Sequence, residues 1–160
     1  MARETVGMHV SALRLLGLDV GDRRIGVAVS DPTGALATPV AVYYRREQEV
    51  DVRHVIDLAA EFEASGAVVG LPKNMNGTEG PQAEKTREFA DALAASGLSV
   101  SLWDERLSTV EATRRLTEHG RMRRGQAKQR RNARQRVDSE AAALILQTYL
   151  DHVRIRGGIR

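Results

Sequence analysis

The 160-residue chain contains no cysteine, and phenylalanine, tyrosine and tryptophan together make up only 4% of it. Without cysteine there are no thiol nucleophiles, no disulfides and no cysteine-ligated zinc or iron–sulfur centres. The four histidines, His9, His54, His119 and His152, show no HExxH-type spacing, so a histidine-based metal site is not expected either. Any metal here would rest on oxygen ligands. Long apolar runs are also lacking, since none approaches the ~20 residues that span a bilayer. The first eleven residues, MARETVGMHVS, lack the apolar stretch of a secretory signal, which makes the cytoplasm the expected location and a membrane an unexpected partner.

What is present suits a folded, water-soluble unit. A hydrophobic share of 42% beside 28% charged residues argues against wholesale disorder. Domains commonly run ~100–200 residues, so the length favours one compact unit. Charge is spread unevenly. Between Arg121 and Arg136 stand eight basic residues (Arg121, Arg123, Arg124, Lys128, Arg130, Arg131, Arg134, Arg136) and no acid, which leaves the rest of the chain at −5 against a net +3. A mildly acidic body with one dense arginine segment points to a polyanion partner. A solvated loop without a partner is the plainer alternative, but seven of the eight are arginine and guanidinium suits phosphate. No aromatic is interleaved, so the segment would read phosphate charge and shape rather than stack on bases.

Apolar patterning outlines the elements. Leu13–Asp19 (LRLLGLD) and Ile25–Val29 (IGVAV) flank a Gly21-Asp22 turn and read as a hairpin. Leu36–Tyr43 is a third strand, where Pro39 calls for an edge position or a bulge. Helical spacing of Val52, Val55, Ile56, Ala59 and Phe62 predicts a helix between Glu47 and Ser65, ended by Gly66. Ala67–Leu71 is a short apolar strand. A helix opens at Pro81 and reaches about Ser96, with Gly97 just beyond, and Leu98–Trp103 is the next strand. Ser108 and Glu111 form a capping box for a helix from about Thr109 to His119, and a last helix is expected over Asp138–Val153. Three strands followed by alternating helix and strand predict an α/β fold, a mixed sheet with helices on both faces. Residues 13–153, including the basic segment 121–136, are read as one domain between an N-terminal extension (1–12) and a tail (154–160).

Three acids fall at the ends or starts of elements that such a sheet would gather. Asp19 ends the first strand in GLDVG, Glu105 with its neighbour Asp104 follows SLW, and Asp138 opens the last helix directly after the arginines. Ligands bind beyond the C-terminal ends of parallel strands in open α/β sheets. Each acid also has a purely structural explanation: a turn former, a partner for Arg106, and a helix cap. Together they make an acid-only site beside a basic strip. Clustered carboxylates repel unless a cation neutralises them, and Mg²⁺ or Mn²⁺ suit oxygen ligands.

Four blocks in order, GLDVGDRRIGVAVSD (17–31), VVGLPKNMNGTEGPQAE (68–84), DERLSTVEA (104–112) and VDSEAAALILQTYLD (137–151), closely resemble the YqgF/RuvX family. Its members are described as Holliday junction resolvases or pre-16S rRNA nucleases, with a ribonuclease H-like fold related to RuvC resolvases. The resemblance spans about residues 13–151 and leaves out the first twelve and the tail. It implies that Asp19, Glu105 and Asp138 are the catalytic carboxylates and share two Mg²⁺ or Mn²⁺ ions. Adjacent acids on an extended segment point to opposite sides, so only one of Asp104 and Glu105 faces the site; the resemblance and the longer side chain favour Glu105. The reaction implied is phosphodiester hydrolysis by an activated water. The partner is nucleic acid, either branched DNA or precursor rRNA. Lys73 and Asn74, after a strand end, are candidate phosphate contacts, with an ordinary glycine-containing turn as the alternative. Arg23 and Arg24 follow Asp19 closely enough to contact phosphate or to stabilise carboxylates, and neither is assigned a role. A resolvase acting on a two-fold symmetric junction would be a symmetric homodimer. Two other readings compete: a non-catalytic nucleic-acid-binding module, and a single lobe of an actin-like or sugar-kinase-type nucleotide binder, which needs two lobes to clamp its ligand.

Overall fold

The computed structural model describes residues 14–108 and 127–158 and, within the last helix, the side chains of 136–154. Five strands form one sheet: β1 (Leu15–Val20), β2 (Arg24–Ser30), β3 (Ala37–Tyr44), β4 (Gly66–Leu71) and β5 (Ser99–Asp104). Their spatial order is β3-β2-β1-β4-β5. The first three strands are antiparallel, while β4 runs parallel to both β1 and β5. Pro39 was expected at an edge position or a bulge, and the structure has it at both. It lies on the edge strand, and the register jumps from Val27↔Ala41 to Ala28↔Pro39, which leaves Val40 bulged.

Helices α1 (Gln48–Glu61) and α2 (Pro81–Ala95) cover one face, and α3 (Ala127–Gly158) crosses the other. The period-two alternation of β1 decides what each face receives. Leu16, Leu18 and Val20 join Ile25, Val27, Val55, Phe89 and Leu93 in the larger core, under α1 and α2. On the opposite face, Ala28 and Val68 pack with Ala141, Ala142, Ile145 and Leu146 of α3. Gln147 and Arg154 fasten α3 along the sheet edge: the Gln147 amide bonds Ala37 N–H and the Ala35 carbonyl, which also accepts from Arg154. No helix among the described residues is long and apolar enough to cross a membrane.

Two expected boundaries change. The last helix begins at Ala127, eleven residues before Asp138, and runs to Gly158. Residues 127–135 are mainly Ala, Lys, Gln and Arg, good helix formers, so the part of the basic segment from Lys128 on belongs to the helix instead of preceding it. Helix α1 stops at Glu61, short of Ser65, because Glu63 turns left-handed (φ 55°) and Ala64 N–H closes on the Ala59 carbonyl. The helix expected over 109–119 lies outside the described residues.

Candidate active site

Asp19 is the penultimate residue of β1 and faces α3, the only ionisable side chain of that strand. It is 4% exposed. Across the ladder it faces Gly26 of β2, and on its other side Gly70 follows Val69, the β4 partner of Leu18. These bare positions let other elements reach the carboxylate. A Cβ on Gly26 would lie 2.0 Å from the Asp138 carbonyl oxygen, and one on Gly70 would lie 2.9 Å from Glu105 Oε1. A third glycine, Gly17, lets the body of α3 settle on β1, since a Cβ there would meet Leu146 at 2.6 Å. Glycines on three neighbouring strands thus bring Asp138 and Glu105 over the end of β1.

Asp19, Glu105 and Asp138 line one cleft of about 230 Å³, with Val20, Gly21, Asp22, Arg23, Arg24, Pro72 and Gln82. Asp138 lies in the interior of α3 and is neither its first residue nor its cap. Its Oδ2 accepts from Arg24 Nε at 2.6 Å, across the mouth of the β1–β2 hairpin. Of Asp104 and Glu105, the second points into the cleft. Asp104 instead caps the short 3₁₀ turn at 105–107 and takes the Arg106 guanidinium, Nη2 to Oδ2 at 2.7 Å. That guanidinium holds the Asp104 carboxyl below its ordinary value.

Lys73 and Asn74 are not among the residues lining the cleft. Asn74 closes its own loop, bonding Thr78 through both its backbone N–H and its side-chain amide. Lys73 lies near enough to Glu79 and Asp104 to help lower both carboxyls, behind the stronger effects of Arg87 and Arg106. Arg121, Arg123 and Arg124 lie outside the described residues. Lys128, Arg130, Arg131 and Arg134 are carried on the first turns of α3. At 1.5 Å per residue they stand about 6 to 15 Å along the helix axis from Asp138.

Sequence reasoning left two contributors unassigned. Arg24 was visible only as a basic residue near Asp19; its pairing with Asp138, 114 residues away, gives no local signal. Gln82, which lines the cleft, donates to the Val20 carbonyl and ties α2 to the end of β1. Its place directly after Pro81, in the first turn of a helix following β4, was the available clue.

A mixed five-stranded sheet with acids from β1, the end of β5 and the last helix meeting in one cleft defines a ribonuclease H-like α/β domain. Two Thermus thermophilus RuvC structures share the fold: one in complex with a Holliday junction substrate (TM-score 0.54, 14% identity, 89% of this chain and 96% of that one) and a second RuvC structure (0.51, 14%, 91% and 96%). The chain belongs to the RuvX family, described as Holliday junction resolvase, whose model matches residues 13–152. Among curated relatives, a Clostridium botulinum protein named "Putative pre-16S rRNA nuclease" is 43% identical over 141 residues, covering 87% of this chain and 97% of its own length. A Halothermothrix orenii protein of the same name is 46% identical over 141 residues, covering 88% and 96%.

Proposed function

We propose that this protein is a metal-dependent nuclease that hydrolyses phosphodiester bonds in structured nucleic acid, with Asp19, Glu105 and Asp138 as its catalytic carboxylates. The observation that carries this reading is the convergence of those three acids, 33 or more residues apart in sequence, on one cleft. The family description and the names of the relatives support the same activity. The cleft's charge also calls for a cation. Its lining holds four acids, Asp19, Asp22, Glu105 and Asp138, against two arginines, Arg23 and Arg24. A phosphate group would meet an excess of negative charge there unless divalent cations were bound.

The donor set is all oxygen, which suits Mg²⁺ or Mn²⁺. Among the described residues no three acids or histidines stand close enough to enclose one ion as they are. Asp138 accepts from Arg24 through Oδ2, so a cation would share that carboxylate with the guanidinium, which fixes its orientation. When bound, two such ions supply an acidified water and a stabilised leaving oxygen. The chain's own parts do the rest. Asp19 is fixed by a central strand, Glu105 by the 3₁₀ turn that Asp104 caps, and Asp138 by a helix packed on glycine. Arg24 steadies Asp138. The basic residues carried on the first turns of α3 offer positive charge for neighbouring phosphates.

The test compares wild type with Asp19→Asn on a labelled four-way DNA junction, a linear duplex and an RNA spanning a 16S precursor 5′ end, with Mg²⁺ or Mn²⁺. Wild type is expected to cut the junction or the RNA, and Asp19→Asn to bind with unchanged affinity and cut neither. Paired symmetric nicks confined to the junction would mark a resolvase and predict a homodimer. Cutting of the RNA alone would place the protein in ribosomal RNA maturation. Tight binding without cleavage by wild type, or cleavage that survives Asp19→Asn, would overturn the nuclease reading.

A further inference from the structure

The hairpin turn that carries Arg24 is held from behind by a buried charge pair. Asp51, in the first turn of α1, is 0% exposed. A buried carboxylate is tolerated only when paired and hydrogen-bonded. Asp51 accepts from Arg45 Nε at 3.1 Å and from Arg46 N–H at 2.8 Å. The Tyr43 hydroxyl is a further donor, and burial followed by this bond pushes the phenol above its ordinary value. Arg45 does more than neutralise Asp51. Its Nη1 donates to the Gly21 carbonyl at 2.9 Å, and its backbone N–H to the Arg23 carbonyl at 2.8 Å. The guanidinium also lies 5.2 Å over the buried Phe89 ring of α2.

Gly21 and Arg23 both line the cleft, and Gly21 N–H closes the turn on the Arg24 carbonyl at 2.8 Å. A continuous path therefore runs from α1 through Asp51, Arg45 and the turn to Arg24 and Asp138. On the side of α2, the turn meets the exposed Lys85–Asp22 pair. From this geometry we infer that Arg45, fixed by Asp51, is a positioning residue for the Gly21–Arg24 turn, and through Arg24 for the Asp138 carboxylate. The inference rests on the nuclease reading for its kinetic consequence but not for its structural one.

Arg45→Lys supplies the test, because an ammonium can still neutralise Asp51 but cannot span both Asp51 and the Gly21 carbonyl. The variant is expected to stay folded, with faster amide exchange at Gly21. Mn²⁺ binding, measured by calorimetry without nucleic acid, should weaken about 10-fold or more, the scale of outer-shell partners at metal sites. The value of kcat should fall by a similar factor while KM for nucleic acid holds. Asp51→Asn, which keeps an oxygen for Arg46 N–H, should move the same three readouts in the same direction by less. Wild-type exchange at Gly21 together with wild-type Mn²⁺ affinity in a folded Arg45→Lys protein would overturn the inference. If wild type cuts no substrate, the nuclease reading fails, while exchange and Mn²⁺ binding still decide the tether.

Discussion

The two faces of the sheet are built on opposite principles. Under α1 and α2 the strands present Leu16, Leu18, Ile25 and Val27 to Val55, Phe89 and Leu93, all fully buried. That face excludes water and supplies the larger share of apolar burial, at roughly 25 cal/mol per Å². Under α3 the same strands present Gly17, Gly26, Ala28 and Gly70, and the helix answers with Ala141 and Ala142. Small residues on both sides allow close approach. The face that gives up side-chain volume is the one where the acids meet. Stability and chemistry thus occupy opposite sides of one strand, β1, whose alternate residues serve each.

Substitutions can break that division, and the largest effect on catalysis is expected at Gly26. In Gly26→Ala the new methyl would lie 2.0 Å from the Asp138 carbonyl oxygen, so α3 must move. Overpacking of this kind costs about 1–3 kcal/mol. The displaced Asp138 should also lower kcat about 100-fold, the penalty for a misplacement of ~1 Å. Thermal unfolding and steady-state kinetics on one preparation would show both losses; an unchanged kcat would separate Asp138 from the reaction.

Phe89→Ala probes the other face. Its cavity should cost about 3–5 kcal/mol of stability, read by urea unfolding, while kcat per folded molecule at low temperature falls far less than in Gly26→Ala. A collapse of kcat as deep as that of Gly26→Ala would mean that the larger core also sets the site, which Arg45 over Phe89 makes a pointed comparison.

The smallest effect is expected at the end of the sheet remote from the cleft. There Asp31 accepts from the Thr33 hydroxyl and from the Leu36 and Ala35 amides, and these bonds hold its carboxyl below the ordinary value of 3.8. Because the folded value is lowered, the stabilisation is whole above the ordinary value and is lost as pH falls through the lowered one. Asp31→Ala should therefore lower Tm slightly at neutral pH, converge on wild type in acid below that value, and leave kcat unchanged. A Tm difference that persists undiminished in strong acid would remove the charge from the explanation.

Much of this was legible in the residues themselves. Strand and helix patterning located the five strands and three α-helices but not the 3₁₀ turn at 105–107, and Pro39 pointed to an edge or a bulge in β3. The acids stood out because cysteine and clustered histidine were missing. Local pattern misjudged α3, because nothing in an arginine-rich run distinguishes a solvated loop from a helix whose other end is anchored by Ile145 and Leu146. Lys73 and Asn74 followed a strand end as expected, in a loop that Asn74 closes by bonding Thr78.

The sequence by itself determined which atoms were available: oxygen ligands only, on segments whose period decides which face each residue takes. Tertiary structure alone decided which of them meet. Asp19 and Gly26 become neighbours through strand pairing, Asp138 joins them because three glycines admit a helix more than a hundred residues later, and Arg24 reaches Asp138 across that same gap. Proximity between distant residues is a property of packing, and packing depends on volumes on both sides of a contact, which no single stretch of chain contains.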